Sequence, residues 1–457
     1  MKKLLAVLVA LTLVLVGCNT TKKEEVNNQP EENVESTDMM LADFVNNLND
    51  YKLIDVRSEE EYIGWDIKGL GKGGHLPNAI NFNMNILTDH AKEEVLAYFE
   101  LLHVAKTDDV IIYGNEGDEL ESLRTFMTDN GFTSVKTYSK GVQEFAKSHD
   151  LDAFVNYQLL VSTRWVNELL AGNDVKHAPA GDYKIYQVGW GNEEQSKYTE
   201  GHIPTSVHIN TDDFEVVNPE GSYDYAPLWN LKTDAELFEA AKMYGITTDT
   251  TVILYGNDTT AAARIMLALR YLGVSDVRLI DGGYNKYVAD GFDVSTESTP
   301  ANAVENFGTT EVMHPEFVMS IEEVETALTT DSFVLASVRS KAEHDGETSG
   351  YNYINSMGRI PGDTFVNSGD SAYDMNNYRS LNGTMLSGTV IDANWASAGI
   401  NKDDEVAFYC GTGWRAAETW FYAELLGYSN YKLFDGGWLE WSDYTGREIE
   451  GTLVPNE

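Results

Sequence analysis

One short unit occurs three times in this chain. IIYGNEGDEL (111–120), ILYGNDTTAA (253–262) and AFYCGTGWRA (407–416) each read as a strand-length apolar run, a turn and a helical continuation. YSKG, IDGG and FDGG follow them at a constant distance: Gly114 to Gly141, Gly256 to Gly283 and Cys410 to Gly437 are each 27 residues apart. Upstream of each copy a helical stretch leads into a further strand: MLADFVNNLNDYKLIDVRS, LLVSTRWVNELL followed by YKIYQVG, and FVMSIEEVETALTTDSFVLASVRS. Between the two strands stand GGHLPNAINFN around His75, GHIPTSVHIN around His202 and GRIPGDTFVNS around Arg359. Strand and helix in alternation predict an α/β chain in which each unit is a parallel sheet covered by helices on both faces. A length of 457 residues fits three such domains. The runs AKSHDLDAF and STESTPANAVENFGTTEV read as junctions, giving domains at 38–150, 155–298 and 308–451.

The N-terminus belongs to none of them. MKKLLAVLVALTLVLVGC has two lysines, then an apolar run too short to span a bilayer comfortably and ending in small residues, so 1–17 reads as an export signal. Leu15-Val16-Gly17-Cys18 resembles the lipobox of bacterial lipoproteins. That resemblance implies that Cys18 is the lipidated first residue of the mature protein, anchored to the extracytoplasmic face of the bacterial cell membrane. Residues 18–37, polar and without aromatics, read as a flexible tether. The net charge of -41, spread along the chain, argues against nucleic acid as a partner and leaves the lipid as the only membrane contact. An anionic substrate would be repelled at long range, so its site has to be locally basic.

With Cys18 lipidated, Cys410 is the single thiol, which excludes an intramolecular disulfide and a cysteine-rich metal site. Aligning the copies puts Gly114 and Gly256 where the third has Cys410, so the first two domains are expected to be catalytically silent. A free thiol is mostly protonated at neutral pH, and only the thiolate attacks efficiently. The turn Cys410, Gly411, Thr412, Gly413, Trp414, Arg415 can fold its amides inward as an anion nest, the two glycines permitting unusual dihedrals. AAETWFYAELL behind it reads as a helix whose N-terminus adds positive potential.

LIDVRSEEEY followed by GHLPNA, GHIPTSVHIN, LVSTRWVNELL, and a strand-Cys-loop-helix ending in DGGW together resemble the rhodanese (thiosulfate sulfurtransferase) family, over nearly all of 38–451. Within that family the chain resembles three-domain bacterial sulfurtransferases in which only the last domain is active. The resemblance implies three tandem rhodanese-like domains with the active cysteine opening the loop after a central strand. It also implies a reaction: Cys410 takes a sulfane sulfur from a small anionic donor, thiosulfate or 3-mercaptopyruvate, as a persulfide. Cyanide, a small thiol or a protein thiol then accepts it. No metal or organic cofactor is required.

Loop length separates this from related chemistry. Cysteine-dependent phosphatases and arsenate reductases carry C-x5-R, wide enough for a tetrahedral anion, whereas Arg415 here closes a C-x4-R loop better suited to one sulfur. Arg415 is a candidate to hold the donor's anionic group and equally a loop brace. Arg359, in place of the GHIP histidine, and Arg379 are further anion candidates, and Trp414 a candidate wall against water. Arg339 and Glu343 keep the arginine and glutamate of the DVRSEEEY motif and read as a structural pair, while its aspartate, Asp55 in the first copy, is Ser337 in the third. The inserts GETSGYNYINSM and DSAYDMNNYRSLNGTMLSG are expected to shape the pocket or meet another domain.

Two other classes compete. A binding or scaffold lipoprotein with a vestigial cysteine would be expected to carry a broken third loop, and this loop is intact. A thiol redox sensor would need a resolving cysteine. His202 and His208 sit with the GHIP motif and fit structure better than metal ligation.

Overall fold

The computed structural model describes residues 38–451, apart from 39–43, 46, 47, 67, 68, 70 and 219–226. The expected signal, Cys18 and the tether lie outside the described residues. The described residues 38–451 belong to one compact unit.

Three parallel sheets succeed one another along it. The first holds β1 (Lys52–Asp55), β2 (Ile80–Asn81), β3 (Asp109–Tyr113) and β4 (Ser134–Tyr138) in the order β2-β1-β3-β4. The second holds β5 (Leu160–Val161), β6 (Tyr183–Gly189), β7 (Val207–Asn210), β8 (Thr251–Gly256) and β9 (Asp276–Ile280) in the order β5-β9-β8-β6-β7. The third repeats that order with β10 (Val318–Met319), β11 (Phe333–Ser337), β12 (Thr364–Phe365), β13 (Glu405–Tyr409) and β14 (Asn430–Phe434): β10-β14-β13-β11-β12. At the corresponding edge of the first sheet, an isolated parallel bridge joins Asp38 to Thr137 of β4 among the described residues. The strands preceding the three slot residues, β3, β8 and β13, are internal and almost entirely buried, as near-continuous apolar runs in parallel sheets require.

The constant 27-residue spacing has a steric cause. Gly283 and Gly437 take positive φ, 56° and 54°, and a Cβ there would fall 2.6 Å from the carbonyl oxygen of Gly256 and 2.7 Å from that of Cys410. In the second and third copies the second glycine is therefore pressed against the residue that opens the loop, while in the first a Cβ on Gly141 would lie 2.5 Å from the Glu116 amide nitrogen, further along the same loop. A second repeated contact closes each domain: antiparallel bridges join His75 to Asp152, His202 to Ser295 and Arg359 to Glu450. His75 and His202 each bond a backbone carbonyl through Nδ1, to Tyr62 at 2.7 Å and Tyr198 at 2.8 Å, so the GHxP histidines are bracing groups.

The long segment after GRIPG runs from the third domain onto both others. Thr384 Oγ1 donates to Glu59 of the first domain at 3.3 Å, and the Met385 amide donates to Asp281 of the second at 2.8 Å. Ser387 Oγ meets Tyr62 OH at 2.9 Å and accepts from the Asn81 amide at 3.2 Å. Asp281 is only 8% exposed, and burial pushes its carboxyl up to about 7 despite the hydrogen bond from Met385, with Glu59 raising it further. A carboxyl held above its ordinary value favours the fold fully at low pH, and that contribution is lost as pH rises through about 7. Asp281→Asn keeps an oxygen for the Met385 amide. It is expected to melt above the natural chain at pH 8 and not above it at pH 5, by differential scanning fluorimetry.

Candidate active site

β13 carries the chain through the middle of the third sheet and delivers Cys410 at its C-terminal end, where open α/β sheets place their ligands. The turn is shorter than the sequence suggested. The helix begins at Trp414 and runs to Leu425, with Gly413 as its cap at φ 97°, so Arg415 stands in the first helical turn and does not close the loop. The Gly413 amide donates to Cys410 Sγ at 3.3 Å. The carbonyls of Cys410 and Gly411 accept from the Trp438 and Leu439 amides at 2.8 and 3.0 Å, which fixes the loop against the DGGW turn. A twelve-residue helix starting beside the sulfur adds the positive end of its dipole. An anion on that sulfur therefore meets an amide donor and a favourable field.

Cys410 is 1% exposed and forms part of the wall of a cavity of about 440 Å³. Thr412, Trp414, Arg415 and Arg379 line it, together with Tyr351, Asn352 and Tyr353 from the first insert and Ala372, Tyr373 and Met375 from the second. The remaining wall comes from the second domain: Trp190, Trp229, Asp258 and Thr260. Six aromatic side chains thus face one space, two of them well exposed, Trp190 at 55% and Tyr373 at 72%. Tyr351 packs on Tyr353 and Tyr373 with centroids 5.1 and 5.3 Å away, and Tyr353 on Trp229 at 4.5 Å. Gly411 is obligatory here, because a Cβ would lie 2.4 Å from the Tyr351 ring. The sequence signalled the insert tyrosines by their density in GYNYIN; nothing marked Trp190 or Asp258, which reach the site only through domain packing.

The arginines sort differently from expectation. Arg415, 3% exposed, gives both terminal nitrogens to Glu343, Nη2 to Oε1 at 2.8 Å and Nη1 to Oε2 at 3.0 Å, with Ser368 Oγ at 3.0 Å and Tyr351 OH at 3.2 Å. Its planar fork is occupied, which makes it a brace whose charge borders the cavity. Arg339 reaches Glu343 at 3.5 Å, bonds the Gly358 carbonyl at 2.7 Å and lies over the Trp438 ring. Burial alone would raise the Glu343 carboxyl, but Arg415 and Arg339 outweigh it and hold it below the usual range. Arg379 lines the cavity, with Nε on Glu418 Oε1 at 3.0 Å and Nη2 3.6 Å from Asp258. Arg359 is not part of the cavity wall: its side chain pairs with Glu450 at 3.0 Å, beside the bridge its backbone makes to the same residue. It stands at the closing bridge of its domain, like the histidines of the other copies.

The carboxylate missing at Ser337 is supplied from elsewhere. In the first domain Tyr113 OH donates to Asp55 Oδ2 at 2.9 Å; in the third, Tyr409 OH donates to Asp363 of the GRIPGD turn. The slots of the first two copies, which hold glycine, are closed. A Cβ on Gly256 would lie 2.5 Å from the Asp258 carbonyl oxygen and 2.9 Å from that of Val188, and one on Gly114 2.6 Å from Asp118. Among the described residues no group of three His, Cys, Asp or Glu side chains is placed to hold a metal ion.

Comparison with known proteins agrees with this geometry. The family model described as Rhodanese-like domain matches residues 40–148, 192–290 and 320–444. The thiosulfate sulfurtransferase YnjE of Escherichia coli K12 is 35% identical over 393 residues, 86% of this chain and 87% of that protein. A thiosulfate sulfurtransferase of Corynebacterium glutamicum is 28% identical over 65% of this chain and 92% of its own. Among solved structures, the anaerobic ergothioneine biosynthesis enzyme of Chlorobium limicola, in complex with its natural substrate trimethyl histidine, superposes with a TM-score of 0.84 at 32% identity, covering 92% of this chain and 100% of that one. EanB in its wild-type form gives 0.84 at 33% identity, covering 92% and 98%.

Glu343→Ala leaves Arg415 and Arg339 buried without their shared carboxylate and is expected to cost about 3–5 kcal/mol in chemical denaturation. Arg359→Ala removes a partly exposed pair and is expected to cost less than about 1 kcal/mol in the same measurement.

Proposed function

The chain belongs to the rhodanese-like domain family and is a sulfurtransferase, and from that premise we propose that its working nucleophile is Cys410, loaded as a persulfide by thiosulfate or 3-mercaptopyruvate. The thiolate attacks the outer sulfur of thiosulfate; the S–S bond to the sulfonate sulfur breaks with its electron pair, sulfite leaves, and Cys410 carries S–S⁻. With 3-mercaptopyruvate the C–S bond breaks, and the carbon, taking a proton, leaves as pyruvate. The observation that carries this reading is the pairing of Cys410 Sγ with the Gly413 amide at the mouth of a helix and in the wall of a cavity. A nucleophilic acceptor then takes the outer sulfur and regenerates the thiolate. Cyanide and thiols are acceptors of the simplest kind.

A second reading of the acceptor is favoured by the aromatic lining. Six aromatic rings with the Asp258 carboxylate among them form a wall that attracts a cation through ring quadrupoles and charge. The C. limicola enzyme takes trimethyl histidine, and EanB has been captured with a cysteine persulfide and ergothioneine. A cationic, ring-bearing small molecule of that kind fits this cavity as acceptor. The first two domains, lacking the cysteine, are read as non-catalytic.

Intact-mass spectrometry of the chain from Asn19 onward tests the donor: gain of one sulfur with release of sulfite or pyruvate is expected, and no gain in Cys410→Ala. No gain with either donor, from a thiol that still alkylates, would contradict the reading. Loaded protein mixed with trimethyl histidine tests the acceptor, through transfer of that sulfur to the small molecule. The N-terminal segment is read as a lipoprotein signal, so the protein would sit lipid-anchored on the outer side of the bacterial cell membrane. Labelled fatty acid is expected to enter the natural chain in a bacterial host and not Cys18→Ala.

A further inference from the structure

The reactive helix of the third domain packs along the corresponding helix of the silent second domain, Thr259–Leu272. That helix carries Arg264, whose side chain is completely buried at the domain boundary. Its Nε donates to Glu215 Oε1 at 2.8 Å and its Nη2 to Asp435 Oδ1 at 2.6 Å, the aspartate of the third domain's FDGG motif. Its Nη1 has no hydrogen-bond partner among the described residues and lies 3.0 Å from where a Cβ on Gly413 would be. Glu215, also of the second domain and also fully buried, accepts the indole N–H of Trp414 on both carboxylate oxygens at 3.0 Å. Trp414 is the first residue of the reactive helix and part of the cavity wall.

We infer that Glu215 and Arg264, residues of a domain without a nucleophile, are positioning residues for the Cys410 loop, acting through Trp414 and Gly413. Its own domain holds the loop along the carbonyls of Cys410 and Gly411. On the opposite side, the indole clamp and the guanidinium edge set where Trp414 and the Gly413 amide stand, and that amide is the one bonded to sulfur. A carboxylate is needed for the clamp because it must serve an indole and a guanidinium together. A guanidinium is needed beneath the loop because it spans two carboxylates while still presenting an edge to Gly413. The groups facing Glu215 are Arg264, Trp414 and, at longer range, Asp435, and burial pushes its carboxyl up to about 7 against the pull of Arg264. The clamp therefore changes charge near neutral pH, and with it the field at the reactive loop.

The inference rests on the reading of Cys410 as the sulfur carrier, and its test separates the two. The full chain is assayed for the rate of sulfur gain at Cys410 from thiosulfate and, independently, for the rate of Cys410 alkylation by iodoacetamide across pH 5–9, both read by peptide mass. Trp414→Phe, which removes only the N–H and the second ring, is expected to slow both rates about tenfold. Glu215→Ala is expected to do at least as much in the natural background and no more than about twofold in the Trp414→Phe background. Glu215→Gln retains an acceptor for the indole and is expected to recover at least half of the Glu215→Ala loss on a logarithmic scale. It should also flatten the alkylation profile near pH 7. Multiplying effects in the double variant, or a Gln variant no better than Ala, would overturn the inference even if sulfur loading is intact. Where Glu215→Ala does not fold, the Trp414→Phe and Glu215→Gln arms decide the question alone. Absence of sulfur gain in the natural chain would instead sink the reading of the site, leaving the alkylation arm to judge the clamp.

Discussion

A buried guanidinium between two carboxylates, one from each of two domains, is the interaction around which the active end of this protein is organised. Arg264 cannot be buried at the boundary unless Glu215 and Asp435 are both present, since removing one partner of such a set strands charge in a low-dielectric interior. Burying it requires the second and third domains to dock with their slot helices side by side. The same helices are tied again by Arg270 to Glu424, with the Arg270 guanidinium 5.2 Å from the centre of the Trp420 ring. Once docked in this way, the mouth of the Cys410 loop opens onto residues of the second domain.

This gives the glycines in the slots of the first two copies a physical sense. A rhodanese-like unit has one functional end, the loop after its central strand. In the second domain a glycine with no room for a side chain fills the slot, and the loop around it has become wall: Asp258 and Thr260 border the Cys410 cavity. The first domain contributes at one remove, through Tyr62 and Glu59, which hold the segment that carries Tyr373 and Arg379 toward the site. Repetition thus supplies enclosure, which a single small domain with an open loop end does not have.

The repeat made the fold legible in the sequence: alternating strands and helices, constant spacing and the GHxP motifs all reflect local contacts that each copy makes with itself. Gly437 against the Cys410 carbonyl is such a contact, and so is the antiparallel bridge that closes each domain. Cys410 stood out for the same reason, since its slot is defined within the unit. Arg415 and Arg359 were harder, because an arginine beside an anion site and an arginine bracing a carboxylate have the same pattern in sequence. Glu343, 72 positions before Arg415, decides the first and Glu450 the second. Trp190, Trp229, Asp258 and the Glu215–Arg264 pair were out of reach. Their role depends on how two domains dock, and no periodicity within either records it.

The most direct test is a crystal structure of the protein after exposure to thiosulfate. Electron density for one additional sulfur bonded to Cys410 Sγ is expected, directed into the cavity between Tyr351 and Trp414, with the Gly413 amide retained as donor. An unmodified Sγ, with the added sulfur bound at another place on the molecule, would contradict the assignment of Cys410 as the sulfur carrier.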